Sequence, residues 1–223
     1  MAQHCYDSGV SESVANATSK ALQLPADAVV LPSSTGVIGW QLPITDMLAG
    51  LPAAVEALQP DSCLPAAVGI CTTDLYPKVS SAELSSGGRV VGIAKGAGMI
   101  EPNMATMLAY ILTDVALPRD LLRELLAEAV DTSFNSISVD SDQSTSDTVA
   151  MIASGVVPFD DTDSAAVEEV RVALTQVCSE LAELVVRNGE GCNHVIRVSV
   201  TGGLDIAEAK GVGKAVVNSP LFK

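Results

Sequence analysis

The apolar residues of this chain are almost all aliphatic. Hydrophobic residues fill 48% of its 223 positions and aromatic residues only 3%, with one Trp, three Tyr and three Phe. A core of that composition has to be assembled from Val, Leu, Ile and Ala, which suit buried sheet with small-residue helices packed on it. Charged residues are 17% of the chain and mean hydropathy is +0.37, so disorder is excluded as the main state. The length fits one large domain or two small ones.

Lys and Arg number 12 against 27 Asp and Glu, a net charge of −15. A phosphate backbone would be repelled, so nucleic acid is not an expected partner. Apolar runs such as Met104 to Thr113 fall well short of the roughly 20 residues that cross a bilayer, so no membrane partner is expected either. The start, Met1 to Asp7, lacks the basic and apolar regions of a secretory signal. Cys5, Cys63, Cys71, Cys178 and Cys192 are odd in number and form no CxxC pair, which reads as reduced thiols inside a cell.

Periodicity predicts alternating helices and strands. Ser11 to Leu24 is helix-like and Pro25 stops it; Asp46 to Leu58 forms a second helix in spite of Gly50 and Pro52. Ala28 to Leu31 and Ala66 to Cys71 read as strands, the latter buried. Pro77 to Gly88 reads as loop or edge hairpin, and Arg89 to Ala94 and Met107 to Leu112 read as strands. Asp120 can cap a helix whose Leu121, Leu122, Leu125, Leu126 and Ala129 face a core. The clearest helix starts at Asp163 or Ser164, buries Val167, Val170, Leu174, Val177, Leu181 and Leu184, and ends at Arg187-Asn188-Gly189, a cation followed by a left-handed-tolerant pair. Val195 to Thr201 alternates as a strand and Ile206 to Val217 as a last helix. The fold class is therefore α/β or α+β.

Three apparent motifs fail. Gly211-Val212-Gly213-Lys214 has Ala215 where a P-loop needs Ser or Thr, and reads as helix. Asp140-Ser141-Asp142 with Asp147 lacks the Gly and the final Glu of a calcium loop; these three aspartates read as structural. His4 and His194 are the only histidines and lie far apart, so neither a metal site nor a Ser-His-Asp triad is expected.

A hydrolase or transferase without histidine needs another base. Cutting the peptide bond before a Thr, Ser or Cys creates an α-amino group beside the side-chain nucleophile, and such an amine titrates at about 7.7–8.0 against about 10.4 for lysine. It is partly neutral in the cell without burial and can activate its own hydroxyl. Ala105-Thr106 is a plausible site, a small residue joined to a Thr where a Gly/Pro/Asn loop meets an apolar strand. On pattern alone the plainer reading, that Thr106 merely opens a strand, is preferred.

The segment Lys95 to Leu108, reading Lys-Gly-Ala-Gly-Met-Ile-Glu-Pro-Asn-Met-Ala-Thr-Met-Leu, closely resembles the self-cleavage segment of the ornithine acetyltransferase (ArgJ) family. Further blocks follow the family's order: Ser34 to Gly39, Thr72-Thr73-Asp74, Ser133 to Asp140 with Ser144 to Thr148, Gly189-Glu190-Gly191, and the closing Val217 to Lys223. The resemblance implies self-cleavage between Ala105 and Thr106. Residues 1–105 would form an α portion and 106–223 a β portion that stay associated, as an α2β2 assembly. It implies a layered helix-sheet-sheet-helix fold, distantly like N-terminal-nucleophile hydrolases. The implied reaction moves acetyl from N-acetylornithine to glutamate through acetyl-Thr106, with Thr35 and Gly36 as oxyanion donors and Thr72, Lys95, Thr106 and Glu190 in contact with substrate. Neither metal nor cofactor is implied, and acetyl-CoA is a candidate co-substrate. The implied location is the cytoplasm, or an organelle matrix in a eukaryote. The chain is expected to be partial, lacking N- and C-terminal family regions. The alternatives are a self-cleaving amidase or aminopeptidase of the same layout, and an inactive remnant.

Overall fold

A computed structural model of the chain describes residues 8–35, 37, 39–101, 107–144, 146–202 and 205–222. It divides into two compact units, Met1–Cys63 and Leu64–Lys223. The first is helical among its described residues, with α1 (Ser8–Ala21) packed against α2 (Ile44–Glu56). α1 ends where Gln23 takes a left-handed φ of 52° and the amide of Leu24 donates back to the Ser19 carbonyl, two residues before Pro25. Ala28 to Leu31, expected as a strand, has no regular structure. Val29 and Leu31 are 79% and 80% exposed and Pro32 follows, so β-prone side chains are present without a ladder to join.

The second unit carries α3 (Leu64–Gly69), β1 (Lys78–Glu83), β2 (Arg89–Lys95), β3 (Leu108–Val115), α4 (Arg119–Thr132), β4 (Thr148–Val157), α5 (Ser164–Arg187) and α6 (Ile206–Val217). Among the described residues the strands form one sheet in the order β1-β2-β3-β4. β1/β2 and β2/β3 are antiparallel, whereas β4 runs parallel to β3 after the α4 crossover. This is the mixed α/β class read from the sequence. Residues 66–71, expected as a buried strand, lie mostly in α3, which has only Ala67 buried; a short Ala-rich apolar run fits helix and strand alike, and only packing chooses. Val195 to Thr201 has no regular structure either, and its Val195 and Ile196 are exposed.

α5 shows why the aliphatic core works. Asp163 caps it by accepting from the amides of Ala165 and Ala166, and its face from Val170 through Leu174, Val177, Cys178 and Leu181 to Val185 is buried against the sheet and α4. Val167 and Leu184 are half-buried at the margins. In α4, by contrast, Asp120 is not the cap. Pro118 holds that position, and Asp120 lies in the first turn, where its charge suits the helix dipole. Gly92 of β2 permits the closest approach of α5 to the sheet, since a Cβ there would sit 2.6 Å from Leu181 Cδ1, 2.8 Å from Val177 Cγ1 and 2.9 Å from Ile111 Cδ1. Gly92→Val is therefore expected to destabilise the unit by about 1–3 kcal/mol through overpacking, read as a lower urea midpoint with an unchanged m-value; a wild-type midpoint would count against this contact.

Candidate active site

The paired strands align Lys95, Leu108 and Thr148 in one row across β2, β3 and β4. The loop that leaves β2 after Lys95 and the two segments that enter β3 and β4 therefore meet at one end of the sheet. Among the described residues of these segments there is no helix or strand, so each of their backbone amides needs its own partner.

Asp74 supplies the first. One carboxylate oxygen, Oδ1, accepts from the Lys78 ammonium at 2.6 Å and from the Gly96 amide at 2.8 Å, while Oδ2 accepts from the Thr72 amide at 3.1 Å. The side chains of Lys78 and Asp74 are both fully buried. Lys78 also donates to Asn188 Oδ1 at 2.6 Å, and that oxygen accepts from the Leu75 amide at 3.2 Å. Burial by itself would raise the Asp74 pKa, but the hydrogen bonds from Gly96, Lys78 and Thr72 outweigh it and hold the carboxyl below its ordinary value. Asn188 is thus a buried acceptor at the end of α5, at φ −95°, and not left-handed; the left-handed residue of that turn is Gly191, at φ 70°.

This network delivers two of the expected substrate contacts together. Lys95, 3% exposed, donates from Nζ to Thr72 Oγ1 at 2.7 Å. Desolvation pulls the Lys95 pKa below the usual lysine value, with Asp74 and Asp147 opposing that pull. Glu190 joins them through the loop. Its amide donates to the Ala97 carbonyl at 2.7 Å, and its carboxylate lies over Gly98, where a Cβ would come within 2.9 Å of Glu190 Cδ. Of the two glycines flanking Glu190, Gly189 is needed for packing, because a Cβ there would meet Cys192 Sγ and Val139 Cγ1 at 2.8 Å.

Asp140 and Asp147, read from sequence as structural, hold the same loop. Asp140 accepts from the amides of Met99 (2.6 Å) and Ile100 (2.8 Å), and Asn218 donates to Glu101 Oε1 at 2.6 Å. Beyond residues 102–106, Asp147 Oδ1 accepts from the Met107 amide at 2.6 Å, and the Met107 carbonyl accepts from the Thr148 amide at 3.0 Å. Asp142 donates its own amide to Asp140 Oδ1 and completes that turn. Burial raises the Asp147 pKa to about 7 against the opposing influence of the Met107 amide and Lys95. Asp147 and Met107 also line a cavity of about 490 Å³ to which α4 contributes Arg123 and Leu126.

Gly36, Ala105 and Thr106 lie outside the described residues. Thr35 is half-buried in an irregular segment of the first unit, where the neighbouring Ser34 Oγ has no hydrogen-bond partner among the described residues. Among those residues no cluster of His, Cys, Asp or Glu could hold a metal ion, and no helix is long and apolar enough to cross a membrane. The Gly211 to Lys214 run lies inside α6, in agreement with its reading as helix.

The ArgJ family model matches residues 7–223. The chain belongs to the ArgJ family. Two curated relatives carry the name "arginine biosynthesis bifunctional protein ArgJ". That of Gluconobacter oxydans is 44% identical over 218 residues, which is 95% of this chain and 51% of the relative. That of Colwellia psychrerythraea is 44% identical over 208 residues, 91% of this chain and 49% of the relative. The chain thus spans about half the length of these ArgJ relatives.

Two stability predictions follow from the buried charges. Lys78→Met leaves the Asp74 carboxylate buried without its cation and should cost about 3–5 kcal/mol, measured by denaturant unfolding; a wild-type midpoint would contradict the network. The Asp147 pKa is raised when folded, so the stability tied to its proton is full below about pH 4 and lost as pH rises through about 7. Asp147→Asn should flatten the decline of the melting midpoint across that window.

Proposed function

We propose that this chain belongs to an acyltransferase of arginine biosynthesis that moves acetyl from N-acetylornithine to glutamate after cutting itself between Ala105 and Thr106. The observation that carries the reading is the anchoring on both sides of that bond. Gly96 through Glu101 are tied by Asp74, Glu190, Asp140 and Asn218, and Met107 is tied by Asp147. A reactive peptide bond gains most when its flanks cannot drift.

In the proposed reaction the Thr106 hydroxyl attacks the acetyl carbonyl while its α-amino group takes the proton. Thr35 and Gly36 steady the oxyanion. Collapse returns the proton to the departing ornithine nitrogen and leaves acetyl on Thr106 Oγ, from which the glutamate amine removes it. Lys95 offers a cation to a substrate carboxylate, Thr72 a hydroxyl, and Glu190 a carboxylate to the ornithine ammonium. The scheme uses no cofactor, and acetyl-CoA is a second donor to be assayed.

The sheet also supports two portions that stay together after the cut. The proposed cleavage bond lies between β2 and β3, whose residues pair from Val90↔Thr113 to Lys95↔Leu108. Separating 1–105 from 106–223 would break that ladder and open the aliphatic core, so the pieces are expected to co-elute until denatured; the reading further takes them as an α2β2 assembly.

Intact-mass analysis tests the first step, with two coupled fragments expected from the wild type and a single chain from Thr106→Ala. N-acetylornithine should then leave an acetyl adduct on the 106–223 fragment that glutamate removes as N-acetylglutamate. Release of free acetate at the same rate with and without glutamate would instead identify an amidase.

A further inference from the structure

Lys95 and Glu190 carry opposite charges on adjoining stretches of the fold, yet no ion pair joins them among the described residues. Free side chains of opposite sign on neighbouring loops attract and tend to close on each other. Here each is held elsewhere. Lys95 is 3% exposed, with Nζ on Thr72 Oγ1 at 2.7 Å. Glu190 is exposed, and its carboxylate rests over Gly98 without a hydrogen bond to any described residue.

Two ties set the gap between the two charges. The direct one is the Glu190 amide, which donates to the carbonyl of Ala97, just beyond Lys95, at 2.7 Å. The other runs through side chains. Asn188 Oδ1 accepts from Lys78 Nζ at 2.6 Å, Lys78 donates to Asp74 Oδ1 at 2.6 Å, and that oxygen accepts from the Gly96 amide at 2.8 Å. Gly96 follows Lys95 directly and Asn188 shortly precedes Glu190, so this path ends beside both charges. Its members have little freedom to yield. The Lys78 and Asp74 side chains are fully buried, Asn188 is 1% exposed, and Lys78 faces Ala94, the residue before Lys95, across the β1/β2 ladder. Gly189, between Asn188 and Glu190, is closed in by Cys192 and Val139. The Asn188 amide cannot turn over either, because Oδ1 receives both Lys78 and the Leu75 amide, and a flip would set donor against donor.

Resting on the reading of Lys95 and Glu190 as the contacts for the carboxylate and the ammonium of ornithine, we propose that Asn188 is a specificity-determining positioning residue, whose bond to Lys78 fixes the gap between Lys95 and Glu190 and so selects the length of the amino acid that spans it. Asn188 is where the side-chain path enters the turn that carries Glu190. A ligand with a carboxylate at one end and an ammonium at the other satisfies both residues only when its length matches the gap. One methylene too many or too few leaves an end unpaired against a charge that the protein does not move. The class selected is a diamino acid of a single chain length.

The test measures binding of L-ornithine, and of L-lysine with its one additional methylene, to the full chain near neutral pH by isothermal titration calorimetry; neither ligand has an acetyl group to transfer. The wild type should prefer ornithine by about tenfold or more. Asn188→Ala, which breaks the tie to Lys78, should bring the two affinities within about threefold of each other, whereas a purely structural asparagine would leave the preference intact and weaken both ligands alike. Asn188→Asp, which keeps an acceptor for Lys78 and for the Leu75 amide, should retain the preference. Gly98→Ala should reduce it by another route, since a Cβ there would come within 2.9 Å of Glu190 Cδ and displace the carboxylate while Asn188 stays in place. An Asn188→Ala protein that prefers ornithine as the wild type does, or a wild type that binds both ligands equally, overturns the inference and leaves the proposed reaction standing. If Asn188→Ala does not fold, Gly98→Ala decides, and an unchanged preference there excludes a fixed gap as the source of selection. A wild type that binds neither ligand defeats the reading of Lys95 and Glu190 as substrate contacts, and this inference with it.

Discussion

The carboxylate of Asp74 organises one end of the sheet. It is buried, and a buried charge persists only if cations and amides converge on it. Lys78 from β1, the Gly96 amide after β2 and the Thr72 amide before the sheet do so together, while Asn188 at the end of α5 takes a further Lys78 proton. One ion pair thereby fixes α5, β1, β2 and the 72–76 turn against each other. The amides of Thr72 and Gly96 both donate to Asp74, which brings Thr72 beside Lys95, whose Nζ donates to Thr72 Oγ1 at 2.7 Å.

The same chemistry recurs along the loop that follows. A segment without helix or ladder has amides that must be satisfied singly, and Asp140 and Asp147 do this for Met99, Ile100 and Met107. This gives part of the acidic surplus, a net charge of −15, a structural meaning. Some of these acids are acceptors for backbone N–H groups and not a solvated surface. Their fates diverge with their partners. Three donors hold the Asp74 carboxyl below its ordinary value, whereas burial outweighs the Met107 amide and Lys95 and raises Asp147 to about 7. Two aspartates at one end of a sheet can thus carry different proton occupancies at the same pH.

What was legible in the sequence follows the range of the forces involved. α5 could be read almost to the residue because its cap, its apolar stripe and its terminating turn are all local. β2 and β3 could be read because they are apolar on both faces and central in the sheet. Ala28 to Leu31 and Val195 to Thr201 misled for one shared reason: a strand exists by pairing with a distant partner, and their β-prone residues carry no information about whether that partner arrives; residues 66–71 misled because a short Ala-rich run fits helix and strand alike. The site divides in the same way. Thr72, Lys95 and Glu190 stood out through family motifs, whereas Lys78 and Asn188, 110 residues apart, gave no signal, since an isolated Lys and an Asn at a helix end normally face solvent.

The sequence by itself determined the material of the core, the α/β alternation and membership of the ArgJ family, because composition, periodicity and ordered motif blocks are properties of the chain read in line. Tertiary structure alone decided which acids are buried, which amides they hold and which oxygen is left unmatched. Those depend on desolvation and on contacts between residues tens of positions apart, as between Asp140 and Met99 or Asp147 and Met107. In sequence Asp147 stands 40 residues from Met107, and only the folded sheet end brings its carboxyl group to the Met107 amide, where burial raises its pKa to about 7.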